Sequence, residues 1–84
     1  MYYIYILQSL KDCNFYTGLT KDISRRLQEH NSGQVKPTKG RIPFKMVYFE
    51  ELSSLKEARQ REKFFKTGSG RELRNSILNN KIPR

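Results

Sequence analysis

The stretch FYTGLTKDISRRLQEHN, Phe15 to Asn31, holds a tyrosine, two adjacent arginines and the chain's only histidine. A guanidinium clamps a phosphate, an imidazole passes protons near neutral pH, and a phenol does so where its surroundings assist. Asp22 is placed to cap a helix from Ile23 to about Asn31, and Gly33 to end it in a left-handed turn. At about 100° per residue, Ile23, Arg26, Leu27 and His30 share one arc, while Arg25, Gln28 and Glu29 point elsewhere. Arg26 is therefore expected beside the sheet and Arg25 in water. Taken singly, Arg26 is a rim residue whose stem covers apolar surface, and His30 is an imidazole packed against backbone.

A second polar residue sits where apolar ones belong. Ser54 and Glu57 form a capping box that starts a helix running to about Lys66. Its inward face collects Leu55, Ala58, Glu62 and Phe65. A carboxylate there needs a cation, because desolvating it alone costs several kcal/mol. Arg26 or Arg59 would satisfy Glu62 as an ion pair. A divalent metal would do so too, since Mg²⁺ takes one or two carboxylates, keeps waters and accepts substrate phosphate.

The elements that must position these groups follow from pattern. Tyr2 to Leu7 alternates Tyr3, Tyr5 and Leu7 against Tyr2, Ile4 and Ile6, and two apolar faces make a central strand. Gln8 to Asn14 reads as a turn and Phe15 to Leu19 as a returning strand, which would make Tyr5 and Tyr16 cross-strand neighbours. GQVKPTKGRIP lacks periodicity and reads as a loop. Phe44 to Glu50 is a third strand, with Phe44, Met46 and Tyr48 facing one way and Val47 and Phe49 the other. Ser69 and Glu72 repeat the capping signal before a shorter helix built on Leu73 and Ile77. The final residues, 80–84, are expected to fray.

The bulk numbers bound the partner. Eighty-four residues are expected to make one domain, with its core over about 2–79. A single cysteine, Cys13, cannot form an intrachain disulfide, and with one histidine it argues against a zinc staple. That composition suits a reducing cytosol, and the opening apolar run is too short to span a bilayer. Seventeen lysines and arginines against eight acids give a net charge of +9. Such a field gathers polyanions, nucleic acid ahead of an anionic membrane, although a basic surface can serve solubility alone.

Tyr3-Ile4-Tyr5, then Tyr16-Thr17-Gly18, then Arg26 and His30, then Glu62 within REKFF, resemble in order the GIY-YIG nuclease family. The likeness is greatest to short single-domain bacterial members related to the excision-repair incision domain. Tyr3 stands where many members have glycine, and Thr17 replaces the usual isoleucine. A supporting asparagine of some members is missing from the matched motifs, and Asn75 is the candidate downstream. The resemblance implies an α+β fold: a three-stranded antiparallel sheet flanked by about three helices, in the order β-β-α-β-α-α, as one domain over 1–84. It also implies phosphodiester hydrolysis with one Mg²⁺ or Mn²⁺. Glu62 would bind the metal, Tyr5 and Tyr16 would line the sheet face, Arg26 would clamp the phosphate and His30 would assist.

A phenol with a pKa near 10 is about three units, or roughly 4 kcal/mol, too high to act as a base at neutral pH. A nearby metal and guanidinium favour the phenolate, and His30 could take the proton. Tyr5 is expected to activate the water, with Tyr16 orienting the phosphate or sharing that task. Lys36, Lys39, Arg41, Arg59 and Lys63 would hold the nucleic-acid backbone without reading bases. The expected activity is a weakly selective or structure-selective DNA endonuclease, relying on nucleic-acid shape or a recruiting protein, and serving repair or recombination. The alternatives are a non-catalytic nucleic-acid-binding module of the same fold and a small basic domain that docks onto a larger protein. Both catalytic charges are present, where a degenerate module tends to lose one.

Overall fold

A computed structural model describes residues 1–81, with side chains through Asn79. A hairpin of β1 (Tyr2–Ser9) and β2 (Phe15–Thr20) leads into α1 (Ile23–Asn31) and a 3-10 helix (Lys36–Arg41). β3 (Phe44–Leu52), α2 (Leu55–Phe65) and α3 (Gly68–Lys81) follow. This is the β-β-α-β-α-α order read from the sequence. The sheet runs β2-β1-β3 and is antiparallel throughout, with β1 central.

The two apolar faces of β1 make two cores. Ile4 and Ile6 pack with Ala58 and Phe65 of α2 and with Leu73 of α3. Tyr5 and Leu7 pack on the other side with Phe44, Ile42 and Leu27 of α1. The sheet therefore separates α1 from α2. Each fully buried Ile, Leu or Phe stabilises the fold by about 1.5–3 kcal/mol, and Phe65→Ala would cost about 3–5 kcal/mol.

Local signals placed the helices. The Asp22 carboxylate accepts from the Arg25 amide at 3.0 Å, and Ser54 Oγ accepts from the Glu57 amide at 3.1 Å. The Glu57 carboxylate does not return to its own cap. It accepts instead from Ser53 Oγ at 3.2 Å. Gly33 has φ +81°, the left-handed stop expected of it.

Long-range pairing corrects several expectations. β1 continues to Ser9 and moves the turn forward, so Tyr5 faces Gly18 and Tyr16 faces Leu7; the two tyrosines are not direct partners. On the other side the register shifts between Ile6 and Leu7, with Tyr48 opposite Ile6 and Met46 opposite Leu7. Val47 is skipped as a β-bulge, which reverses every later side chain. Tyr48 thus joins Val47 against α2, and Phe49 sits across from Tyr5 and edge-on to Tyr3.

The supposed loop contains the 3-10 helix, too short for any periodicity to mark it. The hairpin turn holds it: Ser9 Oγ donates to the Arg41 carbonyl at 2.6 Å, and Lys11 Nζ to that of Gly40 at 3.1 Å. α2 ends at Phe65, one residue early, and α3 is longer than expected. Thr67, not Ser69, caps α3, its hydroxyl accepting from the Gly70 amide at 3.2 Å. Gly70 lies inside the helix because a Cβ there would strike the Phe64 carbonyl and the Phe65 backbone where α3 crosses α2. Residues 80 and 81 belong to α3, and the rest of the expected frayed tail lies outside the described residues.

Candidate active site

Tyr5 is 1% exposed on the central strand, and its ring lies over β2 because Gly18, directly opposite, has no side chain. A Cβ at Gly18 would clash with the phenol oxygen and the ring carbon that bears it. The glycine of the second motif is therefore a passage for the tyrosine of the first. β2 is an edge strand, so the phenol is delivered toward the rim of the sheet.

Two groups from α1 meet that phenol. His30 Nε2 lies 2.9 Å from the Tyr5 oxygen, and Arg26 Nε donates to the same oxygen at 3.4 Å. The helix phase is as the sequence implied. Arg26 is 35% exposed in its side chain and Arg25 77%. Arg26 Nη1 also donates to Glu29 at 3.1 Å, and Glu29 pairs with Arg25 at 3.4 Å, so one carboxylate on the flank of α1 steadies the clamp. Glu29 carried no signal in the sequence beyond its spacing of three from Arg26.

His30 is wholly buried. Tyr5, Tyr16 and Phe44 present ring edges around it, with centroids 5.7, 5.1 and 6.0 Å away. Its far nitrogen, Nδ1, lies 2.7 Å from Thr38 Oγ1 on the 3-10 helix. Thr38 escaped sequence reasoning because nothing in KPTKGR points inward by period.

Burial sets the resting charge states. It pushes the Tyr5 phenol above its ordinary value, outweighing the bond and charge of Arg26, while the charges of Tyr16 and Glu62 push the same way. Burial, then Arg26, holds the His30 imidazole below its ordinary value, with Glu29 opposing. Arg26 favours the phenolate as expected, but desolvation outweighs it in the free protein. Tyr5 rests as a phenol against a neutral imidazole. Their ordinary values, 10.0 and 6.5, already make transfer between them cost about 5 kcal/mol, and both shifts widen that gap.

Glu62 comes from α2, on the opposite face, yet its charge is felt at the Tyr5 phenol. Both α2 and the phenol pack along β2. Neither expected cation partner holds Glu62. Lys66, one turn on, pairs with it at 3.3 Å, and the carboxylate stays 27% exposed because it is at the rim rather than in the core. Among the described residues no three His, Cys, Asp or Glu side chains gather as a metal cage. A carboxylate at the rim, paired through an exposed lysine side chain's ammonium at 3.3 Å, still fits Mg²⁺ or Mn²⁺, which would draw its other ligands from water and phosphate.

The basic residues divide. Lys36, Lys39, Arg59 and Lys63 are exposed. Arg41 is engaged within the protein: its Nε donates to Asp12 at 2.8 Å, and its guanidinium lies over the Phe44 ring. It ties the 3-10 helix to the hairpin turn. Asn75 takes bonds from Arg74 and lines a cleft of about 430 Å³ with Gln8, Phe15, Met46, Val47 and Leu78. That cleft is at the far end of the hairpin from Gly18.

A family profile described as the GIY-YIG catalytic domain matches residues 1–75. A UPF0213 protein of Clostridium perfringens is 45% identical over 67 residues, covering 79% of this chain and 71% of its own. One of Syntrophus aciditrophicus is 44% identical over 80 residues, covering 93% and 91%. The solution NMR structure of a UPF0213 protein from Bacillus halodurans is similar at TM-score 0.56 and 38% identity, covering 92% of this chain and 85% of that one.

Proposed function

The chain belongs to the GIY-YIG family of nuclease domains, whose substrate is nucleic acid, and from that premise we propose that it is a metal-dependent endonuclease acting on DNA. The observation that carries this reading is the Tyr5 hydroxyl held between His30 Nε2 and Arg26 Nε with the Glu62 carboxylate in electrostatic reach. These bonds satisfy a buried hydroxyl, and the same two groups are the proton acceptor and the phosphate clamp that cleavage needs beside a general base.

In the proposed step Tyr5 gives its proton to His30 Nε2, and the phenolate oxygen takes a proton from water as that water attacks phosphorus. The bond from phosphorus to the leaving oxygen breaks, and that oxygen takes a proton from solvent. Arg26 neutralises charge developing on the phosphate and is already within bonding distance of the phenol. Tyr16 orients the phosphate from the same sheet face. Glu62 would hold Mg²⁺ or Mn²⁺, which when bound supplies positive charge to the phosphate and favours the phenolate. Anionic substrate also raises the proton affinity of His30, narrowing the gap that separates it from Tyr5 in the free protein.

The test is incubation with flapped, nicked, single-stranded and duplex DNA in Mg²⁺ or Mn²⁺, beside Glu62→Ala. Cleavage lost with binding retained in the variant supports the reading. Cleavage by neither protein, with salt-sensitive binding by both, would make the domain a non-catalytic nucleic-acid binder. Nucleases of repair and recombination act on distorted DNA, and preference for the flapped or nicked substrate would favour such a role.

A further inference from the structure

The site extends one residue beyond those the family resemblance names. Tyr5, His30 and Thr38, respectively 1%, 0% and 0% exposed, form a continuous chain of hydrogen bonds through the β1–α1 core. The Tyr5 oxygen lies 2.9 Å from His30 Nε2, Nδ1 lies 2.7 Å from Thr38 Oγ1, and Thr38 Oγ1 lies 3.2 Å from the Val35 carbonyl. The direction of these bonds follows from what each atom can do. Arg26 Nε donates to the Tyr5 oxygen, so the phenol's own proton needs an acceptor, and His30 Nε2 is within reach. An accepting Nε2 puts the imidazole proton on Nδ1, which donates to Thr38. The Val35 carbonyl can only accept, so it takes the threonine proton. With this assignment every donor along the chain has an acceptor.

We propose that Thr38 is a positioning residue: its hydroxyl oxygen selects the Nδ1-protonated tautomer of His30 and so keeps Nε2 open to receive the Tyr5 proton. The kinetic consequence rests on the nuclease reading above, while the tautomer does not. With the acceptor at Thr38 removed, the buried Nδ1–H would lose its partner and the proton would favour Nε2. It would then face the very oxygen that must lose one. The other groups around the ring do not replace Thr38. Tyr5 comes from β1, Tyr16 from β2, Phe44 from β3, and Arg26 and Glu29 from α1; none of these is hydrogen-bonded to Nδ1. The 3-10 helix carries Thr38, and its anchorage through Arg41 to Asp12 and through Ser9 to the Arg41 carbonyl fixes the distance to His30.

Because His30 is the only histidine, its ring nitrogens can be read without assignment by ¹⁵N NMR of the imidazole. The wild-type protein at pH 7.5 is expected to show a protonated Nδ1 and a bare Nε2. Thr38→Val, nearly the same shape without the acceptor, should move the proton to Nε2, and Thr38→Ser should restore the wild-type spectrum. Cleavage of the best DNA substrate should fall about tenfold or more in kcat for Thr38→Val, with KM little changed, and recover in Thr38→Ser. A wild-type Nε2–H tautomer overturns the proposal without any variant being made, as does an unchanged tautomer in folded Thr38→Val. Absence of cleavage by the wild type would sink the nuclease reading and leave the tautomer result to decide this one.

Discussion

Arg25 and Arg26 share a side chain and a helix turn, but only Arg26 reaches the phenol, so their alanine variants should separate. Arg26→Ala is expected to lower kcat/KM by about 10²–10³ and Arg25→Ala by only a few-fold. DNA cleavage rates for the two measure this, and equal losses would contradict the helix phase. His30 makes a prediction about stability as well. Its folded pKa lies below the 6.5 of the free imidazole, so as pH falls through about 6.5 the unfolded chain takes up a proton that the folded chain refuses. Stability is full above that pH and declines below it until the folded imidazole also titrates. Two carboxyls are displaced as well but act lower: Asp12, held down by Arg41, and Glu50, where burial pushes up and the bonds of Arg61 and Tyr48 pull down by more. Urea midpoints at pH 7.5 and 5.5 should therefore differ in the wild type, and the difference should shrink in His30→Gln.

Gly18 shows how an element decides what a residue can do. The phenol crosses β2 only because that strand carries no side chain opposite Tyr5. Gly18→Ala is expected to displace the ring from His30 and Arg26, costing about 1–3 kcal/mol of stability and most of the cleavage. Thermal melts read beside activity would show both, whereas a stable, fully active variant would mean the phenol has another route. At the start of α3 the cap is Thr67, so Thr67→Ala should lose about 1 kcal/mol while Ser69→Ala is close to neutral, and neither should alter cleavage. The sequence favoured Ser69 because its spacing to Glu72 is ideal. The helix begins at Gly68, one residue before that serine, with Thr67 as its cap.

Over the whole molecule, the net charge is +9, and no helix among the described residues is long and apolar enough to cross a membrane. Lys36 and Lys39 stand on the 3-10 helix and Arg59 and Lys63 on α2. If these four hold phosphates, changing all four to alanine should flatten the dependence of DNA affinity on salt, each contributing a slope of about 0.7–0.9. Fluorescence anisotropy across a salt series measures it. Arg41→Ala belongs to a different class, since it would loosen the 3-10 helix from Asp12 and act through Thr38 rather than through phosphate.

What the sequence determined by itself was whatever depends on near neighbours along the chain. The order of elements, the Asp22 and Ser54 caps, the Gly33 stop and the inward turn of Arg26 and His30 follow from periodicity and side chains a few residues apart. Tyr5, Tyr16, Arg26, His30 and Glu62 were legible as an ordered set of motifs, and the structure brings the first four together around the imidazole and the phenol. Only the tertiary structure decided the bulge at Val47, the neighbours of Glu62, the capture of Arg41 by Asp12 and the bond between Thr38 and His30. Each of these joins segments far apart in the chain, and their register is set by which side chains fill the space between sheet and helix rather than by any local pattern.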